Sequence, residues 1–212
     1  MPITDPKGVE IDAATPDPSV VDNNVGGPCT VEHHNFHRVS LDVLLVHLGG
    51  VDVTVGLSAM KHAAGLQKYG ENRVTPPRRS LYARLCPCLQ PVSFADLHGP
   101  SSQANYQVRR GGEFQNVSML SLVPGDIVLL QMGDKVPADM RVIKVIEDLK
   151  MDTTNLTGEP DLLSKDSRVS SESHFLEATN LVLVGSYCAG GSAECVVLKT
   201  GDATVWATIV NL

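Results

Sequence analysis

The sequence predicts a mainly β protein, a small antiparallel sandwich or distorted barrel, with a small N-terminal helical segment. Three observations lead there. From Tyr106 onward short apolar runs recur between turn residues, the signature of short strands joined by tight connections. Valine is abundant while aromatic residues make up only 4% of the chain, so any core is built from Val, Leu, Ile and Ala. Upstream, residues 31–79 carry two helix candidates with caps.

The chain has 212 residues, enough for one ordinary domain with a core and some appendages. Its 17 basic residues against 24 acidic ones give a formal charge of −7. That sign opposes a surface that would neutralise phosphates, so nucleic acid is excluded as a partner. Cys29, Cys86, Cys88, Cys188 and Cys195 are odd in number and irregularly spaced, and no secretory leader opens the sequence. This reads as reduced and cytosolic. Asn116-Val117-Ser118 and Asn155-Leu156-Thr157 match the glycosylation pattern but count as chance matches in that setting. No run approaches the roughly 18 apolar residues that cross a bilayer as a helix, so the chain is expected to be soluble.

Four segments follow from a pass along the chain. Residues 1–30 mix five prolines with aspartates and Gly26-Gly27, show no apolar period, and read as a disordered leader. In residues 31–79, Ser40 is the N-cap candidate for a helix Leu41 to Leu48 ending at Gly49-Gly50, and Ser58 for Ala59 to Tyr69 ending at Gly70. Residues 80–105 are a broken stretch interrupted by Pro87 and Pro91. Residues 106–212 form the β-domain. Its expected strands are Tyr106 to Arg110 and Glu113 to Ser118 around a Gly111-Gly112 hairpin, then Asp126 to Leu130, Met140 to Ile146, and a second hairpin of Leu181 to Ala189 and Ala193 to Thr200 through Gly190-Gly191. Asp161 to Ser173, dense in Ser, Asp and Lys, shows no strand pattern; the loop from Thr157 to about Ser173 is expected to be exposed and mobile.

Three pieces in order, Leu122-Val123-Pro124-Gly125-Asp126, Gly133-Asp134-Lys135-Val136-Pro137-Ala138-Asp139 and Leu156-Thr157-Gly158-Glu159, resemble the signature of the actuator domain of P-type cation-transporting ATPases. Leu176 to Asn180 and Thr200 to Trp206 are similar to the end of that domain. With Val39 to Leu44, Gly56 to Ser58 and Gly70 to Pro77, they lean toward the sodium/potassium and proton/potassium pumps. The resemblance covers about Val39 to Pro77 and Tyr106 to Leu212, and implies an actuator-type distorted antiparallel sandwich or jelly roll. Two departures stand out: residues 80–105 occupy the junction where the family has two membrane helices, and Pro160 stands where the family usually has serine.

In that family an aspartate of another domain is phosphorylated by ATP, and water later hydrolyses the aspartyl phosphate, releasing phosphate and restoring the carboxylate. By resemblance Glu159 orients and deprotonates the attacking water, a role worth roughly 10²–10⁴ in rate for a well-placed general base. Thr157 and Gly158 form the turn that presents it, Gly158 as a residue without a Cβ to hold the backbone off a phosphoryl group. Pro160 removes an N–H and a hydroxyl from the loop and restricts Glu159 to extended angles. The resemblance implies Mg and ATP as cofactors of the parent pump and none in this chain, which carries neither an Asp-Lys-Thr-Gly-Thr phosphorylation motif nor a nucleotide-binding domain. Implied partners are the phosphorylation and nucleotide-binding domains and the membrane helices of the same pump, at the cytoplasmic face of a membrane. The alternative is a truncated, non-catalytic regulatory or binding module.

Other residues read as structural. Asp126 and Asp134 each follow a glycine and Asp139 lies two residues after Pro137, near turns that an aspartate caps, and all three are assigned to the fold. His33 and His37 have i,i+4 spacing, but no partner completes a zinc pattern, and Glu32-His33-His34 with His37 reads as solvated. Cys86-Pro87-Cys88 has poor geometry for a shared disulfide and reads as a juxtamembrane junction, with palmitoylation the alternative. Arg78, Arg79 and Arg84 are a solvated flank or a contact to anionic lipid.

Overall fold

The computed structural model describes residues 35–75, 104–172 and 174–210. The expected leader lies outside the described residues, as do residues 80–103, Cys29, His33, His34, Cys86, Cys88, Arg78, Arg79 and Arg84.

Two helices come first, α1 at Leu41–His47 and α2 at Ala59–Tyr69. The second has the bounds its caps predict: Ser58 Oγ accepts the Lys61 N–H at 3.4 Å, and Gly70 closes the helix at φ 75°. Ser40 holds the N-cap position of α1 in extended conformation, but its side chain makes no capping bond. Beyond α1, Lys61 Nζ donates to the carbonyls of Gly49 and Gly50 at 2.9 and 3.0 Å, so α2 holds the chain that leaves α1.

The remainder is mainly β, as the sequence predicts. Strands β1 (Asn105–Arg110), β2 (Glu113–Ser118), β3 (Ile127–Gln131) and β4 (Asp139–Asp152) are followed by a one-turn helix, α3 (Thr154–Thr157). Then come β5 (Leu162–Lys165), β6 (Leu181–Val182), β7 (Tyr187–Lys199) and helix α4 (Val205–Val210). All pairings are antiparallel, in the order β2-β1-β3-β7-β4-β5, with β6 also on β4. Alternation explains the strands locally: in β1, Tyr106 and Val108 point into the core while Asn105 and Gln107 face out. Inside lie Val108, Leu130, Met140, Val142, Leu149 and Val197, all fully or almost fully buried, with Tyr106 the one aromatic member of the cluster. Each such side chain contributes about 1.5–3 kcal/mol by leaving water.

Three strand expectations are corrected. Gly190-Gly191 is not a hairpin; β7 runs unbroken through it. The pairing of β4 with β7 shifts between Glu147↔Ser192 and Lys150↔Gly190, so one extra residue of β4 bulges there. Gly191 takes φ +79°, and a Cβ on it would lie 2.1 Å from Asp148 O, so the glycine serves the bulge rather than a turn. Before it, β6 and β7 both run antiparallel to β4, so the chain keeps its direction and only turns locally at Leu183–Ser186, where Ser186 N–H reaches Leu183 O at 3.2 Å. Strand β4 extends to Asp152 rather than stopping at Ile146, because the register shifts along it change which residues face inward and bring Leu149 and Met151 into the core. Finally, Leu162–Lys165 forms β5 inside a stretch that lacks a strand pattern of useful length; its four residues pair with Leu149 to Asp152.

The first four residues of β4 are buried on both faces. Met140 and Val142 enter the core, and Arg141, on the other face, donates through Nη1 to the carbonyls of Phe36 and Val39. Asn180 Nδ2 holds His37 O at 2.8 Å. His37 is itself buried, with Nε2 2.9 Å from Glu172 O, which corrects the expectation that it is solvated.

Candidate functional site

The loop after β4 is built by short-range bonds. Asp152 Oδ1 accepts the Thr154 N–H at 3.0 Å and starts α3. Thr157 ends that turn; its Oγ1 donates to Thr153 O at 3.2 Å and accepts the Glu159 N–H at 3.3 Å. Gly158 follows at φ 76°, ψ 0°, the left-handed cap that glycine takes without a Cβ penalty, and its N–H donates to Thr154 O at 2.8 Å. A Cβ there would meet nothing within 4 Å. The positive φ, rather than crowding within the described residues, is what calls for glycine at this position.

Glu159 leaves the turn exposed, and its carboxylate makes no hydrogen bond or ion pair with any described residue. Pro160 is exposed as well. The structure therefore brings Thr157, Gly158 and Glu159 together at one tip, the glutamate facing solvent. Exposure holds along most of the expected loop, but Lys165 and Ser170 are buried.

Behind the tip lies a narrow cavity lined by Leu156, Thr157, Lys165, Leu176, Leu183 and Ser186 among others. Lys165 Nζ donates to Ala178 O at 2.7 Å, and burial draws its pKa down to about 8. Ser186 Oγ is buried without a hydrogen-bond partner among the described residues.

The three motif aspartates are structural, as their neighbours suggest. Asp126 accepts the Val123 N–H at 3.0 Å and pairs with Arg110. Asp134 accepts the Gln131 N–H at 2.8 Å across the turn after β3; burial raises its pKa, partly offset by that bond. Asp139 is buried and accepts Val184 N–H at 3.0 Å and Val205 N–H at 2.7 Å, clamping the turn before β7 to the start of α4. Desolvation pushes its pKa up to about 6 despite those two bonds and nearby Lys199.

Sequence reasoning misses the residues that hold these pieces from afar: Arg110, Arg141, Asn155, Lys165, Gly185 and Trp206. Only Lys165 leaves a local trace, as a charge in the inward phase of Leu163 and Lys165 on β5. Among the described residues no group of three or more His, Cys, Asp or Glu side chains could hold a metal ion. None of their helices is long and apolar enough to cross a membrane.

The family model described as the P-type ATPase actuator domain matches residues 101–212. The chain is 37% identical over 103 residues to calcium-transporting ATPase 1 of Schizosaccharomyces pombe, covering 48% of this chain and 11% of that protein. It is 37% identical over 105 residues to the human sodium/potassium-transporting ATPase subunit alpha-4, covering 50% of this chain and 10% of that protein. With potassium-transporting ATPase alpha chain 1 of Xenopus laevis the figures are 36% over 105 residues, 50% and 10%. The match thus spans about a tenth of the length of these relatives.

Proposed function

Because the chain belongs to the P-type ATPase actuator-domain family, we propose that its Thr157-Gly158-Glu159 turn promotes hydrolysis of an aspartyl phosphate carried by another domain of a cation pump. The observation that carries this reading is the Glu159 carboxylate, exposed at a left-handed turn and engaged with no described residue. A base that must reach a phosphoryl group elsewhere has to project from its own domain and keep its lone pairs free. Glu159 would take a proton from the attacking water and aim it in line, while Thr157 Oγ1 fixes the backbone from which the side chain departs. The donor sets for Mg and ATP are proposed to lie on the phosphorylation and nucleotide-binding domains, and the membrane helices to carry the ions. Localisation at the cytoplasmic face of a membrane belongs to the same proposal.

The test is a pulse-chase of phosphorylated pump. Glu159→Ala should leave phosphorylation by ATP intact while the phosphoenzyme accumulates, decaying roughly 10²-fold or more slowly. Pro160→Ser, which restores an N–H and a hydroxyl, should leave the decay unchanged or faster. Decay of the Glu159→Ala phosphoenzyme at the parent rate would remove the catalytic role.

A further inference from the structure

Helix α3 is a single turn with no buried residue. A helix that short is not stable by itself, since nucleation costs more than one turn of bonds returns. On one side it borders the narrow cavity with Lys165 and Ser186, which gives it little packing there. Two tertiary contacts reach it at the Gly185 backbone. Asn155 Nδ2 donates to Gly185 O at 3.2 Å. A Cβ on Gly185 would lie 3.4 Å from Leu156 Cδ2 and, from the other residue in contact, 2.8 Å from Trp206 Cε3 and 3.0 Å from Cζ3. Gly185 is thus a thin spacer between the turn carrying Thr157 and the indole of Trp206. At φ +98° it takes a conformation that suits glycine, and the indole lies where a side chain would sit.

Trp206 belongs to α4 and is 1% exposed. The same end of α4 is fastened by Asp139, whose two carboxylate oxygens take the Val205 and Val184 N–H groups. Displacement of α4 therefore acts on Gly185 from both neighbours at once, the Val184 amide and the indole face. Because Gly185 has no side chain, a tilt of the ring reaches Leu156 and Asn155 without an intervening group to absorb it.

We propose that Trp206 is a positioning residue for Glu159, and that the placement of α4 sets the placement of the Thr157–Glu159 turn through Gly185. Its consequence for hydrolysis rests on the function proposed for Glu159; the mechanical coupling does not. Coupling of this kind is reciprocal: whatever frees the ring frees the turn, and whatever frees the turn frees the ring.

Both directions are readable in the full chain. Hydrogen exchange reports the turn through the amides of Leu156, Thr157 and Gly158, which bond to Thr153 O, Thr153 O and Thr154 O. Trp206→Ala should raise their exchange by about tenfold or more relative to the Val142 amide of β4, and Trp206→Phe should recover most of the protection by keeping a ring on Gly185. Trp206 is the single tryptophan of the chain, so its fluorescence reports the ring. Leu156→Ala and Asn155→Ala should raise acrylamide quenching of it at least twofold, while a distant surface change such as Lys144→Ala leaves it alone. Turn amides that keep their rates in Trp206→Ala, or that speed up only by the factor seen at Val142, overturn the coupling, as does unchanged quenching in both turn variants. A coupled turn beside a normally decaying Glu159→Ala phosphoenzyme would keep this inference and remove the function; an uncoupled turn beside a stalled one would do the reverse.

Discussion

Arg110 meets Asp126 as a two-pronged ion pair inside the domain, Nε to Oδ1 at 2.9 Å and Nη2 to Oδ2 at 2.6 Å. Asp126 is fully buried and also accepts the Val123 N–H, so one carboxylate closes the Pro124-Gly125 turn and ties it to the end of β1. Removing it strands a guanidinium that is itself mostly out of water. Asp126→Ala should cost about 3–5 kcal/mol, the usual penalty for breaking a buried pair from one side. Urea denaturation measures this, and a loss under about 1 kcal/mol would show that Arg110 finds water instead.

The bulge in β4 and β7 makes its own prediction. In Gly191→Ala the new methyl meets the Asp148 carbonyl at 2.1 Å, a distance no rotamer can relieve, and φ +79° adds left-handed strain. Thermal unfolding should fall sharply, by more than the roughly 1–2 kcal/mol of a left-handed residue alone. A change within that smaller amount would mean that the two strands slide to a new register at little cost.

Asp139 should make stability depend on pH in an unusual direction for a carboxylate. Its native pKa of about 6 lies above the ordinary 3.8, so the folded protein holds this proton more tightly than the unfolded chain. Its contribution is fully present below the ordinary value and is lost as pH rises through about 6. In Asp139→Asn that dependence should vanish. The difference between parent and variant stability, measured by denaturation from pH 4 to 7, should change by on the order of 1–3 kcal/mol across that window. A flat difference would show that Lys199 and the two N–H groups keep the carboxylate ionised throughout.

Arg141 fastens the turn at Phe36–Val39 through two carbonyls over a sequence separation of about a hundred residues. Arg141→Leu keeps an apolar stem but loses both bonds and leaves those carbonyls unmatched, at about 1–3 kcal/mol. Arg38 is exposed in that turn. Trypsin should therefore cleave after Arg38 faster in the variant than in the parent, with the β-sheet still intact by circular dichroism. Equal cleavage rates would assign the fastening to Asn180 and His37.

What the sequence makes legible is what short-range chemistry decides. Ala59–Tyr69 is bounded by a serine cap and a glycine stop, and both act within one turn. The roles of Asp126, Asp134 and Asp139 can be read because each bonds an amide beside a Gly or Pro turn or close to one. The same reasoning misleads at Gly190-Gly191. Two glycines turn the chain at Gly111-Gly112 but pass straight through β7, and what separates the cases is the carbonyl of Asp148 from a distant strand. Lys165 and Trp206 elude a local reading for the same reason: their partners, Ala178 and Gly185, come from segments that meet them only after folding. The motif Thr157-Gly158-Glu159 is plain in the sequence, whereas the residues beneath it are not.

The position of β7 also governs how the molecule can come together in time. It lies between β3 and β4, yet it is the last strand in order among the described residues. Until it forms, β3 with β1 and β2 is one fragment and β4 with β5 and β6 another, with no ladder joining them. Ile127 must wait for Val196, and Met140 for Val197. Closing such distant pairs slows folding, because chain entropy is spent before contacts repay it. A nascent or truncated chain that stops before Tyr187 would present two raw sheet edges to its surroundings, and addition of this one strand seals both.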